Sequence, residues 1–309
     1  MPHITAKSKW PDDKKFAVCL THDVDRVKKT YQYFTRSGRF LKRMQIKDAF
    51  NEIFSFSKLY FRKDCEKDPY WNFERIMDIE RKLDVKSTFF FLYESGKISI
   101  FKPRTWKLYL GRYNIKNPKI VKIIKRLNSE GWEIGLHGSY ESYKNKDLLK
   151  KEKGDLEKIL GHQVYGIRQH YLNLDIPITW EIQEELGFKY DSSFGFRDRI
   201  GFKENRYFPF HLVDSSFLEI PLSIMDTALF SRYNSLMNIW EECERIVEIA
   251  ERKGAVLSLS WHQRSFNEKD FPDRIKIYGD LIKLCEEKKA WITTAGEIRQ
   301  WWTQQVGKS

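Results

Sequence analysis

The fold turns on Phe16-Ala17-Val18-Cys19-Leu20-Thr21-His22-Asp23-Val24-Asp25-Arg26, an apolar run that ends abruptly in a histidine and two carboxylates. The unbroken apolar stretch 16–20 reads as a strand buried on both faces. Strand side chains repeat every two residues, so Asp23 and Asp25 share one face at its carboxyl end. Like charges held that close repel, so a positive charge sits between them or one stays protonated. A divalent metal beside a catalytic base meets that condition; an Asx-rich turn closing the strand is the plain structural alternative.

Outward from this strand, short apolar runs alternate with amphipathic stretches. Strand-like runs recur at 87–92, 132–136, 164–167, 217–222, 256–261 and 290–293. Helical periodicity covers 72–83, 120–129, 146–160, 179–186, 236–252, 274–287 and 295–302. Gly131, Gly161, Gly187 and Gly254 each stand just past the end of a helical pattern. Such alternation predicts parallel strands with helices outside, a barrel or a doubly wound sheet. The strand count favours an α/β fold built as an irregular, seven-stranded β/α barrel. Two stretches break the rhythm and read as insertions after strands one and two, at 28–69 and 96–118. The expectation is one barrel domain over 1–309, since barrels of about 200–250 residues grow longer with insertions.

Composition narrows the function classes. The chain is 41% hydrophobic and 15% aromatic, enough for a large core. It has no apolar run of about 18 residues that could span a bilayer. Its first fifteen residues carry Lys7, Lys9, Lys14 and Lys15 without an apolar stretch, so no secretory signal is read there. Cys19, Cys65, Cys243 and Cys285 form no Cys-x-x-Cys pair, which fits free thiols in a reducing compartment, and a cytoplasmic location is expected. The net charge of +12 is spread along helical patterns in which lysines stand beside glutamates, as in 146–158, and reads mostly as solvated helix faces. The denser basic and aromatic segment 28–63 could rest on a membrane surface or grip a polyanion, or pack an insertion against the core. No zinc-finger, RNA-recognition or phosphate-loop pattern accompanies it, so no nucleic-acid partner is expected; the oligomeric state is left open.

Barrel chemistry gathers at the carboxyl ends of strands. His22, Asp23 and Asp25 follow the first predicted strand, and His137, Gly138, Ser139, Tyr140 and Glu141 the third. Arg168, Gln169, His170 and Tyr171 follow the fourth; the fifth leads to Asp226, and the sixth ends at Trp261-His262. Four of the seven histidines thus fall at one end of the predicted sheet, whereas His3, His162 and His211 lie in loop-like places.

In this order the motifs resemble those of the polysaccharide deacetylases, carbohydrate esterase family four. The family's first motif, an aspartate pair after strand one, is matched by Thr21-His22-Asp23-Val24-Asp25, in an Asp-x-Asp form. Its second is matched by Leu136-His137-Gly138-Ser139-Tyr140-Glu141, its third, Arg-x-Pro-Tyr/Phe, by Arg168-Gln169-His170-Tyr171, and its last by 257–262, ending in His262. Tyr190-Asp191-Ser192-Ser193 also resembles a stretch found in many members. The resemblance implies an irregular β/α barrel with one divalent metal, commonly zinc, that removes acetyl groups from an N-acetylated sugar or polysaccharide precursor.

Carried over residue by residue, the resemblance implies a metal on Asp25, His137 and, where the family has a second histidine, Glu141. Asp23 is then the general base, Arg168 its orienting partner, the backbone N–H of Tyr171 an oxyanion donor and His262 the general acid, supported by Asp226 or Asp191. His170 replaces the family's proline and, with His22, is a candidate substitute ligand or substrate contact. Tyr140, Trp261 and Trp132 are candidates for a sugar platform. An amidase on a small amide is the alternative enzyme reading, and an inactive glycan-binding or scaffold barrel the non-enzymatic one.

Overall fold

The structure is a computed structural model that describes residues 9–60, 65–95, 108, 111–212, 215–233 and 235–306. Its strands are β1 (Phe16–Val24), β2 (Thr88–Leu92), β3 (Glu133–Gly138), β4 (Gly166–Gln169), β5 (Tyr190–Asp191), β6 (Phe210–His211), β7 (Leu218–Glu219), β8 (Ile224–Met225), β9 (Val256–Ser260) and β10 (Ala290–Thr293). They form one curled sheet in the order β6-β7-β5-β4-β3-β2-β1-β9-β8, with β10 also on β1. Among the described residues only the β6–β7 pair is antiparallel. No pairing joins β8 to β6 among the described residues, so the sheet is an open half-barrel.

Each of the seven predicted strands has a counterpart. The three additional ones, β5, β6 and β8, are two residues long, too short to leave a periodic signal. β1 has two partners along one edge: its beginning pairs with β10 (Phe16↔Ala290) and its end with β2 (Thr21↔Thr88).

The helices are α1 (Gln32–Lys42), α2 (Ile46–Tyr60), α3 (Phe73–Lys82), α4 (Pro118–Ser129), α5 (Lys146–Leu160), α6 (Ile178–Glu185), α7 (Asp226–Arg232), α8 (Leu236–Lys253), α9 (Arg274–Glu287) and α10 (Ala295–Val306). Gly161 and Gly254 close α5 and α8 in the left-handed region, at φ 80° and 62°, where a side chain would be strained.

Strand alternation sorts the core into two layers. Ala17, Cys19, Phe90 and Tyr190 pack inside the curve of the sheet with Ala295 and Ile298 of α10. Phe16, Val18, Leu20 and Val24 pack outward with the helices. On the same alternation Asp23 follows Cys19 and Thr21 to the inner side, and His22 goes outward.

The first predicted insertion is a helical hairpin, α1 and α2. It is bolted to the barrel by the buried Lys29, whose Nζ donates to Glu52 and, at 2.9 Å, to Asp270. Tyr70 donates its hydroxyl to the same Asp270 at 3.0 Å. Residues 61–63 of the basic segment, and 96–107 and 109–110 of the second insertion, lie outside the described residues. Among the described residues no helix is long and apolar enough to cross a membrane.

Candidate active site

Because β1, β3, β4, β8 and β9 run parallel, their carboxyl ends meet on one rim. There a cavity of about 620 Å³ is lined by Asp23, Asp25, His137, His170, Tyr171 and His262, together with arginines from several elements.

Asp25 lies just past β1, ringed by imidazoles. Its Oδ1 is 3.3 Å from His137 Nε2 and 3.8 Å from His170 Nε2, and its Oδ2 is 3.5 Å from His262 Nε2. Arg264 donates to Oδ2, while Oδ1 is buried and has no hydrogen-bond partner. Burial opposes ionisation of Asp25, but Arg264 and the three histidines outweigh it and hold the carboxyl well below the usual carboxylate range.

His137 donates Nδ1–H to the backbone oxygen of Arg168 at 2.9 Å, which leaves the Nε2 lone pair facing Asp25. Burial pushes His137 down, yet Asp23 and Asp25 push it up and prevail. For His170 burial prevails instead, holding the ring below the ordinary imidazole value despite Glu94 and Asp25. Its Nδ1 is buried without a hydrogen-bond partner, 3.9 Å from Glu94 Oε2.

Ligand atoms of Asp25, His137 and His170 all lie within 4.8 Å of one another. An orphaned carboxylate oxygen, a neutral-ready imidazole and a histidine fixed in the correct tautomer are the donor set a divalent cation takes. The residues present fit such an ion. Glu141 does not join them: it is exposed, beside the turn at Ser142–Lys144. The third donor of the cluster comes from the neighbouring strand. β3 and β4 pair with His137 opposite Arg168, so His170, two residues on, emerges beside His137.

Asp23 is held on the inner face by Arg168, whose Nη1 donates to Oδ1 at 2.9 Å, and by Ser260, whose hydroxyl donates to Oδ2 at 2.9 Å. Burial raises the Asp23 carboxyl, but Arg168, His137 and His262 lower it further, and the net position is below the usual value. Arg168 is itself fully buried and fixed by Ser192, which accepts from Nε through its backbone oxygen and from Nη2 through its hydroxyl, each at 2.8 Å.

His262 donates Nδ1–H to Asp226 Oδ1 at 2.5 Å, leaving Nε2 toward the cavity. Asp226 also accepts from Arg274 at 2.9 Å and from the Ser265 hydroxyl. Burial acts against the Asp226 carboxylate, but His262 and Arg274 overcome it and keep the group ionised below the usual range. Tyr171 sits half exposed at the rim with φ 60°, followed by Leu172 at φ 51°, two residues in the left-handed region where the chain bends over the cavity.

Several predicted contacts lie elsewhere. Trp261 is fully buried on the outer side of β9, packed on Tyr278 and Phe230, and cannot be a sugar platform. Trp132 is buried too, its Nε1 donating to Glu80 at 2.6 Å. Asp191 is buried behind the sheet, where it accepts from Ser193 at 2.6 Å and Trp180 at 3.2 Å, so Asp226 alone supports His262. His22 faces outward between the Trp261 carbonyl and Glu80, each 2.8 Å away. Tyr140 does not line the cavity; it packs edge-on against Tyr171 at 5.5 Å. Sequence reasoning missed Arg264, Arg274 and Glu94, and also Arg36 and Arg39, which α1 contributes to the cavity wall. Glu94 and Arg264 lie just past the ends of β2 and β9, Arg274 opens α9, and Arg36 and Arg39 come from the insertion.

No protein-family model and no curated protein sequence matches the chain. Solved structures do. A provisionally assigned polysaccharide deacetylase from Mycobacterium smegmatis aligns at a TM-score of 0.60 and 18% identity, over 96% of this chain and 93% of its own. One of the same provisional description from Pseudomonas aeruginosa PAO1 aligns at 0.61 and 15% identity, over 97% and 95%. The Puue allantoinase aligns at 0.60 and 14%, also over 97% and 95%. The chain has the polysaccharide-deacetylase fold, which that allantoinase shares.

Proposed function

We propose that this chain is a metal-dependent hydrolase that removes an acetyl group from an acetylated sugar or glycan. The observation that carries this reading is the convergence of Asp25, His137 and His170 within 4.8 Å, flanked by Asp23 and His262 on one cavity rim. A divalent ion held by those three residues, zinc in the first instance, would supply Lewis acidity to the scissile carbonyl and lower the pKa of a bound water.

The chain's own residues do the rest. Asp23, kept ionised by Arg168, accepts the proton of the attacking water. His262 delivers a proton from Nε2 to the departing nitrogen or oxygen. Asp226, buried and ionised against Nδ1, fixes the ring and stabilises its imidazolium form. The backbone N–H of Tyr171 is assigned to the developing oxyanion. Tyr31, Tyr171 and Phe271 give the cavity ring faces on which a sugar can lie.

Hydrolysis of a small cyclic amide is the second reading, favoured by the allantoinase aligning as well as the deacetylases do. One experiment separates the two. Zinc-loaded protein is incubated with N-acetylated glucosamine oligomers, O-acetylated xylan and allantoin, and released acetate and ring-opened amide are measured. Acetate release, abolished in Asp23→Asn, is the expected result. Ring opening without acetate would transfer the site to the second reading, and no turnover of any of them would contradict hydrolysis.

A further inference from the structure

The helical hairpin α1–α2 carries its apolar residues on the wrong side. In α2, Ile46, Phe50 and Ile53 recur at i, i+4 and i+7, one helix face, and all three are exposed. The covered face bears instead the small Ala49, whose backbone oxygen accepts from Ser37 of α1, and the charged Glu52, which accepts from Lys29, both buried. Phe34 and Leu41 of α1 are exposed in the same way, and Met44, between the helices, is 86% exposed, with Phe50 at 67%. A surface helix normally turns such a stripe inward, and contiguous exposed apolar side chains mark an interaction surface.

The polar residues around this stripe name its occupant. Lys42, Arg43 and Lys47 are exposed beside it, against Asp48 as the one exposed acid between residues 34 and 57. Apolar side chains rimmed by lysine and arginine suit a surface with an anionic headgroup layer over hydrocarbon. A second copy suits it less, because two-fold pairing would bring two copies of the same basic rim together in a chain of net charge +12. The hairpin is also fixed rigidly to the catalytic rim: Lys29 ties it to Asp270, and Thr35, Arg36 and Arg39 on another face of α1 line the cavity.

We infer that α1–α2 is a docking element for an anionic phospholipid surface, inserting Phe34, Leu41, Met44, Ile46, Phe50 and Ile53 among the headgroups and placing the cavity beside the bilayer. This does not depend on which bond the site hydrolyses.

The test is co-sedimentation of the whole protein with vesicles of phosphatidylcholine alone and of phosphatidylcholine with equal phosphatidylglycerol, beside sedimentation velocity without lipid. Binding to the anionic vesicles only, weakened by salt, is expected. Met44→Ser/Phe50→Ser should reduce the partition coefficient by about tenfold or more, and Lys42→Gln/Arg43→Gln/Lys47→Gln should weaken it and flatten its salt dependence. Both variants sit on exposed positions and should keep the parent's thermal midpoint. Absence of binding to anionic vesicles, or binding untouched by the apolar double variant, would overturn the inference. So would a parent dimer that the double variant converts to monomer, which would make a second copy the occupant.

Discussion

Arg168 Nη1 lies 2.9 Å from Asp23 Oδ1, a fully buried guanidinium on β4 holding a buried carboxylate on β1 across the inside of the sheet. It is the largest of the attractions, with those of His137 and His262, that outweigh burial and hold the Asp23 carboxyl below the usual value. Asp23→Asn, which keeps the shape and removes the base, should lower kcat by roughly 10²–10⁴ and, by leaving the buried Arg168 without its counter-charge, should also lower the thermal midpoint. Arg168→Gln should move the acid limb of the kcat/KM profile to higher pH, because Asp23 then titrates higher. A profile unmoved in Arg168→Gln, measured on variant that retains the parent's circular dichroism, would separate Arg168 from the base.

Asp226 makes a prediction about both rate and acid stability. Asp226→Asn leaves the His262 ring without its ionised partner, and kcat should fall on the order of 10²–10⁴. The folded-state carboxyl is depressed, so its contribution to stability is present above the unfolded value near about 4 and is lost as pH falls toward the folded one. The parent's lead in thermal midpoint over Asp226→Asn should therefore shrink as pH is lowered from about 5 to 2. A lead that grows on acidification would reverse the assignment.

Glu152 carries the opposite sign. It is buried under Ser139, accepting that residue's N–H at 3.1 Å through Oε2, while Oε1 has no partner. Burial pushes its carboxyl up to about 8, only partly opposed by Ser139. A raised carboxyl favours the folded chain most below the unfolded value near about 4 and costs stability as pH rises toward 8. Thermal midpoints of the parent should fall between about pH 5 and 8, and Glu152→Gln should flatten that decline. The same decline in both proteins would refute it.

Trp261 tests the corrected platform. It is fully buried and its Nε1 has no hydrogen-bond partner, so Trp261→Phe removes volume without breaking a bond. The expected cost is about 1–3 kcal/mol of stability, read from denaturant unfolding, with KM unchanged. A raised KM at unchanged stability would restore the residue to the substrate site.

The sequence made Asp23, Asp25, His137, Arg168 and His262 legible because each follows an apolar run, and parallel strands carry such positions to one rim. Side-chain direction was less legible. Trp261 adjoins His262, but alternation along β9 sends Ser260 inward to Asp23 and Trp261 outward to Tyr278. Asp191 goes outward to Trp180 for the same reason. Glu141 illustrates a second limit: the resemblance pairs it with His137, whereas the register of β3 on β4 brings His170 there. Register is a property of two strands, and neither strand's pattern contains it. The insertion at 28–69 was legible, but which way its apolar stripe faces was not, because an exposed stripe and a core-facing stripe have the same period in the sequence.

Asp25, His137 and His170 are the proposed ligands of one divalent ion. Metal content of the purified parent and of Asp25→Ala, His137→Ala, His170→Ala and Glu141→Ala, measured by mass spectrometry after zinc reconstitution, tests that assignment most directly. About one equivalent in the parent and in Glu141→Ala, and little in the other three, is the predicted result. Metal retained by His170→Ala and lost from Glu141→Ala, or absent from the parent, would contradict it.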